Sequence, residues 1–240
     1  PMDWIIGGQE NIGKGWRMLM ECLADGRGIS LPALSTGAGK LLSRTTGAYA
    51  RCRRQFHVPI GDFQGIREPL ARIAGLTYQM DAARKLMLTA LDRGEKPSVI
   101  SAIVKYHLTE SMRQVVNDAM DIHGGKAIMQ GPRNYLSGVY QAVPIGITVE
   151  GANILTRSMI IFGQGSVRCH PYLRREMQAA TLDGQNALAV FDKALFGHLG
   201  FVISNLVRTV LSGLSNGYLH RPPVPAPVRR RHQQLMRISA

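Results

Sequence analysis

Tyr49-Ala50-Arg51-Cys52-Arg53-Arg54-Gln55-Phe56-His57-Val58-Pro59-Ile60-Gly61-Asp62-Phe63-Gln64-Gly65-Ile66 decides the fold. Alanine, leucine and small residues run at helical spacing up to about Arg54, and His57–Gly61 then breaks the pattern, with Pro59 supplying a turn. Helical spacing resumes at Gln64. The stretch therefore reads as the end of one helix, a tight reversal and the start of the next.

Working outward, Ile29 to about Arg54 reads as a long helix, preceded by a short one over Gly15–Ala24. Within the long helix Gly37, Gly39 and Gly47 each cost about 1 kcal/mol relative to alanine, which suits a helix closely approached by its neighbours. A third helix spans about Gln64 to Arg93, with Ile66, Leu70, Ile73, Met80 and Met87 on its inner side. Gly94-Glu95-Lys96-Pro97 ends it. A fourth begins at Pro97-Ser98 and stops at Gly124-Gly125, where glycine can take a left-handed cap. Lys126–Val139 reads as loop, and the apolar Val143–Gly163 as a buried helix with its preceding loop. Asp183 to about Leu219 is again helical, Arg221–Pro227 reads as an extended linker, and a basic tail follows. Few strand signals appear, so the fold class is all-α: an up-and-down bundle over 1–163, with the end of a preceding domain at its start, and a helical extension over 164–240.

The 240 residues, 45% hydrophobic and 19% charged, suit a folded globular chain. Neither Pro1 nor the uncapped Arg237–Ala240 looks like a natural end, so a piece of a longer protein is expected. Three scattered cysteines, Cys22, Cys52 and Cys169, fit free thiols in a reducing compartment. The seven histidines show no paired ligand spacing, and no metal site is expected. Of the net charge of +13, Arg221, Arg229, Arg230, Arg231 and Arg237 lie in an acid-free tail. Phe56 alone accompanies the basic cluster Arg51, Arg53 and Arg54, which speaks against nucleic acid. A phosphate-bearing small molecule or an anionic membrane surface suits the charge equally.

Glu150 is a carboxylate in an apolar run, followed at once by Gly151. Burial disfavours the charged form of a carboxylate, and a desolvated one is a base matched to neutral pH. A helix-start carboxylate facing solvent explains the same residue. Arg53-Arg54-Gln55-Phe56 could bind a pyrophosphate and cover a flat ring, or merely complement a helix dipole. Gly124-Gly125 could admit a ligand to the backbone or simply stop a helix.

Order and separation are more specific than any one motif. Tyr49-Ala50-x-x-Arg53-x-Gln55-Phe56 followed by Pro59-Ile60-x-x-Phe63-Gln64-x-Ile66 resembles the YAxxRxxFGxxIxxFQxI signature of acyl-CoA dehydrogenases. Asp121-Ile122-His123-Gly124-Gly125 is similar to that family's Q-I-x-G-G, and Thr148-Val149-Glu150-Gly151-Ala152-Asn153 to its Y-E-G-T box. The Gly163–Tyr172 run and the extra helical part resemble the large bacterial fatty-acid β-oxidation type. The resemblance implies a cytoplasmic bacterial flavoenzyme that dehydrogenates fatty acyl-CoA; a peripheral contact with the inner membrane is a separate reading that the basic tail raises. It makes Glu150 the catalytic base and sets Arg27 and Gly151 beside the substrate. It assigns FAD contacts to Arg53, Gln55, Phe56, Phe63, Gln64, Asp121, Gly124, Gly125 and Asn153. It further implies a homo-oligomer whose neighbouring subunit completes the flavin contacts, and an electron-transfer flavoprotein as electron acceptor.

The departures are specific too. His57 stands for a usual Gly, Asp121 for Gln, Gln141-Ala142 for Arg-Asp, and Ala152 for Thr. Some relatives carry the base on an earlier helix, which makes Asp25 the runner-up. The competing readings are an acyl-CoA oxidase-type flavoenzyme and a non-catalytic helical module that binds membranes or partners.

Overall fold

In the computed structural model, which describes residues 4–182 and 185–239, residues 49–66 close helix α1 (Gly15–Cys52) and open α2 (Gln64–Asp92). Between them lies a two-residue hairpin, β1 (Arg54–Gln55) against β2 (Val58–Pro59), with Arg54 opposite Pro59 and Gln55 opposite Val58. Its corner residues Phe56 and His57 both have positive φ, 50° and 66°. That is the twist a two-residue reversal demands of its corners. The reversal was legible in the sequence; its strand pairing was not. Expected boundaries at Pro1, Asp183 and Ala240 lie outside the described residues.

The chain divides into two units, Pro1–Gln164 and Gly165–Ala240. In the first, α1 and α2 pack with α3 (Ser98–His123), α4 (Gly125–Ile128) and α5 (Ser137–Thr148). α1 and α3 run the same way, because Arg72 of α2 reaches Asp118 while Tyr49 of α1 stacks on His123 of α3. α2 and α5 run against them, giving an up-down-up-down bundle. The core threads Leu42, Ile73, Met80, Leu108, Val115 and Val143 along these helices.

Three expectations are corrected here. The helices foreseen over Gly15–Ala24 and Ile29–Arg54 are one helix of 38 residues, about 57 Å long. The helix runs on through Gly26 and Gly28, and Gly28 is buried where the side chain of Met87 crosses α1. Of the three glycines read as close approaches, only Gly39 is one. A Cβ there would meet Met80 Cε at 2.6 Å, whereas at Gly37 and Gly47 it would meet nothing within 4 Å. The segments read as a loop over Lys126–Val139 and a buried helix over Val143–Gly163 are also redrawn. α4 and the start of α5 occupy the first. The second breaks after Thr148 and resumes as α6 (Asn153–Leu155) and a π-helical stretch (Thr156–Gln164). Much of its apolar surface, including Ile154, Met159 and Phe162, is exposed.

The second unit holds α7 (Gly165–Cys169), α8 (Leu173–Ala179), α9 (Gln185–Leu214) and α10 (Ala226–Ser239). The expected free basic tail is instead α10, folded back on the end of α9. Arg230 donates to Asn216 O, Arg237 to Asn216 Oδ1, and Gln233 to His220 O. The Pro-rich residues 221–225 are the turn that permits this. Among the described residues one helix, Asn186–Leu214, is long and apolar enough to cross a membrane.

Candidate functional site

The candidate residues gather at the two ends of the bundle. At one end α5 stops at Thr148, and Glu150 and Gly151 follow with φ of 53° and 87°. A positive φ is costly for glutamate, by roughly 1–2 kcal/mol, so the turn must be held. Arg27 Nε of α1 donates to Glu150 O at 2.8 Å. Lys105 Nζ of α3 donates to Gly151 O and to Asn153 Oδ1, both at 2.7 Å. Thr156 Oγ1 adds a second bond to Gly151 O, at 3.1 Å. Asn153 Nδ2 in turn donates to Thr109 Oγ1 and Glu110 Oε1.

Glu150 itself is half-buried, and its Oε2 is buried with no hydrogen-bond partner. The expectation of a base embedded in an apolar helix is therefore corrected: Glu150 sits on a turn and faces the charges of Arg27 and Lys105. Burial pushes Lys105 down to about 8, and the charge of Arg27 adds to this, while Glu150 and Glu110 oppose it. Burial likewise lowers Arg27, with Glu150 acting the other way. Arg27 and Gly151, read as substrate-side residues, lie beside Glu150. Asn153, read as a cofactor contact, is 3% exposed with both polar atoms engaged in this network. Asp25 is exposed on α1 and contributes nothing to the cluster.

Lys105 is the residue that sequence reasoning missed. It is fully buried, on the inward stripe that includes Ser101, Val104, Leu108 and Met112. A lysine at an inward position of an apolar stripe was the available signal.

At the other end lie the hairpin and the turn after α3. Arg53, Gln55, Phe56, Phe63 and Gln64 are all exposed, and Phe56 and Phe63 meet edge to face at 6.3 Å. Arg54 is spent on the hairpin, donating to His57 O. Tyr49 stacks on His123 at 4.2 Å, which brings the turn after α3 to this same end. Nδ1–H of His123 donates to Ala119 O, so Nε2 accepts from the Tyr135 hydroxyl at 2.6 Å; burial pushes this imidazole below its usual range. Asp121 and Gly124 line an open groove of about 790 Å³ with Met120, Tyr140 and Gln141. Gly124 has φ 57°, and a Cβ at Gly124 or Gly125 would meet nothing within 4 Å, so a ligand has room to reach the backbone here.

This donor set fits FAD. One guanidinium and two carboxamides suit a pyrophosphate, an exposed ring suits a flat heterocycle, and the Asp121 carboxylate suits a hydroxyl or N–H rather than a phosphate. The two ends are not brought together within one chain. Arg27 and Arg53 are separated by roughly 40 Å along α1 at the usual helical rise. Among the described residues no group of three or more His, Cys, Asp or Glu is placed to hold a metal ion.

Residues 13–163 match the family model described as "Acyl-CoA dehydrogenase, C-terminal domain", and residues 167–240 the one described as "Acyl-CoA dehydrogenase, C-terminal, bacterial type". The 3-(aryl)acrylate reductase of Clostridium sporogenes (strain ATCC 15579) is 30% identical over 152 residues, covering 62% of this chain and 39% of that protein. The probable acyl-CoA dehydrogenase YngJ of Bacillus subtilis (strain 168) is 33% identical over 120 residues, covering 49% and 30%. Among solved structures, butyryl-CoA dehydrogenase from Megasphaera elsdenii superposes with a TM-score of 0.58 at 25% identity, covering 65% of this chain and 39% of that one. The chain thus spans well under half the length of the relatives it matches.

Proposed function

We propose, because the chain belongs to the acyl-CoA dehydrogenase family, that it carries the base and part of the flavin-binding surface of an enzyme that dehydrogenates fatty acyl-CoA between Cα and Cβ. The product is a trans-2-enoyl-CoA, the first oxidation of fatty-acid breakdown. The observation that carries this reading is the Glu150 carboxylate. It stands on a clamped turn with Oε2 buried and unpartnered, while the polar side chains around it are paired.

A thioester acidifies the hydrogen on the adjacent carbon, and Glu150 takes that proton through its open oxygen. Arg27 fixes the backbone of the base from α1, so the carboxylate is aimed before substrate arrives. When bound, FAD supplies the two-electron acceptor for the β-hydrogen, removed as hydride. Arg53, Gln55, Phe56, Phe63 and Gln64, with Asp121, Gly124 and Gly125, would hold it. The roughly 40 Å between these residues and Glu150 supports a homo-oligomer, in which one chain's base works beside a flavin held partly by its neighbour. Electrons then leave to an electron-transfer flavoprotein. Coverage of 39% or less of those relatives supports a further reading, that the 240 residues by themselves bind FAD weakly and turn nothing over.

The test uses the FAD-loaded enzyme that contains this chain, mixed with a long-chain acyl-CoA. Loss of the oxidised flavin's visible absorbance is expected. Glu150→Gln should slow that loss by about 10²–10⁴ without loss of FAD. Undiminished flavin reduction in Glu150→Gln would remove the base from this residue. Peroxide release without any added electron acceptor would make the enzyme an oxidase instead.

A further inference from the structure

We propose that Lys105 is a positioning residue for the base: from α3 it holds the turn that presents Glu150, without itself touching the substrate. The inference rests on the reading of Glu150 as base and adds a residue to it. Lys105 is 0% exposed, and a buried cation is tolerated only where its hydrogens are well placed. Its short contacts are not to a carboxylate. Both go to oxygens of the turn, Gly151 O and Asn153 Oδ1, at 2.7 Å.

The turn needs such a hold. Glu150 and Gly151 are consecutive residues at positive φ, and backbone of this kind persists where its surroundings over-determine it. The carbonyl oxygens of these two residues are gripped by cationic donors from two different helices, Arg27 on α1 and Lys105 on α3. Asn153 is oriented in its turn, because its Nδ2 is committed to Thr109 and Glu110, which leaves Oδ1 to Lys105. Every one of these bonds takes backbone or Asn153, and none takes the carboxylate of Glu150, whose Oε2 stays unpartnered. The arrangement fixes the base while leaving it free to react.

Lys105→Met in the FAD-loaded enzyme keeps most of the stem volume and removes the donor. The turn then relaxes, and displacement of a reacting group by about 1 Å costs on the order of a hundredfold. The expected result is kcat lower by about a hundredfold, with KM within about twofold and FAD content unchanged. Lys105→Gln, which keeps an N–H donor one bond short, should recover part of kcat. In a Glu150→Gln background, Lys105→Met should cost nothing further, because residues that act as a unit are not additive. A merely structural lysine would instead lower FAD content or the melting temperature and cost the same in both backgrounds. Should Lys105→Met not fold, Arg27→Met, which opens the clamp from the other helix, gives the same comparison. Unchanged kcat in a folded variant, or equal losses with and without Glu150, overturns the proposal. Full activity of Glu150→Gln alone would instead overturn the base, and the two failures are told apart by that single variant.

Discussion

The two ends of the bundle are built on opposite plans. Around Glu150, donors from α1 and α3 and from the start of the π-helical stretch converge on one turn, and the principal donors are satisfied inside the chain. At the hairpin end Arg53, Gln55, Phe56 and Gln64 point outward as exposed groups beside an open groove. A site whose geometry is fixed by buried hydrogen bonds belongs to the chain that makes them. Exposed groups that gain partners only from a ligand or a neighbour form half of something. The fold finishes one end and leaves the other to be completed.

The sharpest difference between the ends is electrostatic. Lys105 lies at about 8 when folded, against 10.5 for an exposed lysine, chiefly because burial disfavours its charge. Between those values the unfolded chain holds a proton that the folded chain does not, so stability rises with pH across that window. Below pH 8 the full penalty applies, about 3 kcal/mol at 1.36 kcal/mol per unit. Urea unfolding between pH 7.5 and 10.5 should therefore show a rise that is missing in Lys105→Met, the difference between the two curves isolating this group. Coincident slopes would mean that the ammonium keeps its ordinary affinity for protons, and the end would be less dry than described.

The hairpin end should respond to ligand. Arg53→Ala should weaken FAD binding by about tenfold, the worth of one charge-assisted hydrogen bond, with no change in the unfolding of the chain without flavin. A loss of folding stability instead of FAD affinity would make Arg53 part of the scaffold and erase the contrast.

How far each end was legible follows from the same contrast. The hairpin-end residues could be named from the sequence because they are exposed groups on a local motif whose spacing is fixed by a turn. Glu150 could be named because a carboxylate interrupts an apolar run, but its setting could not. A run of apolar residues gives no sign that the helix stops at Thr148 or that the next two residues reverse their φ. Lys105 was missed although its spacing puts it on the inward stripe of α3. A charged residue is ordinarily given to the solvent face, and the acceptors that keep this one inside lie 46 and 48 residues further along the chain. The bonds of Asn153 to Lys105, Thr109 and Glu110 were likewise out of reach of a reading along the chain, because these partners lie 43 to 48 residues away.

The smallest effect lies at His57, which holds φ 66° at the second corner of the hairpin. Glycine adopts that conformation freely, whereas a side chain costs roughly 1–2 kcal/mol there. Glycine also has more freedom to lose on folding, which offsets part of the gain. His57→Gly should therefore stabilise by about 1 kcal/mol or less, seen as a rise in melting temperature of roughly 2–4 °C for a chain of this size. The hairpin keeps its register, since the Arg54–Pro59 and Gln55–Val58 pairs and the Arg54 bond to His57 O involve no His57 side-chain atom. FAD affinity and kcat should stay as they are. A fall in FAD affinity would show that the imidazole itself reaches the ligand, and the proposed set of flavin-holding groups would then have to include His57, which stands where the family signature has glycine.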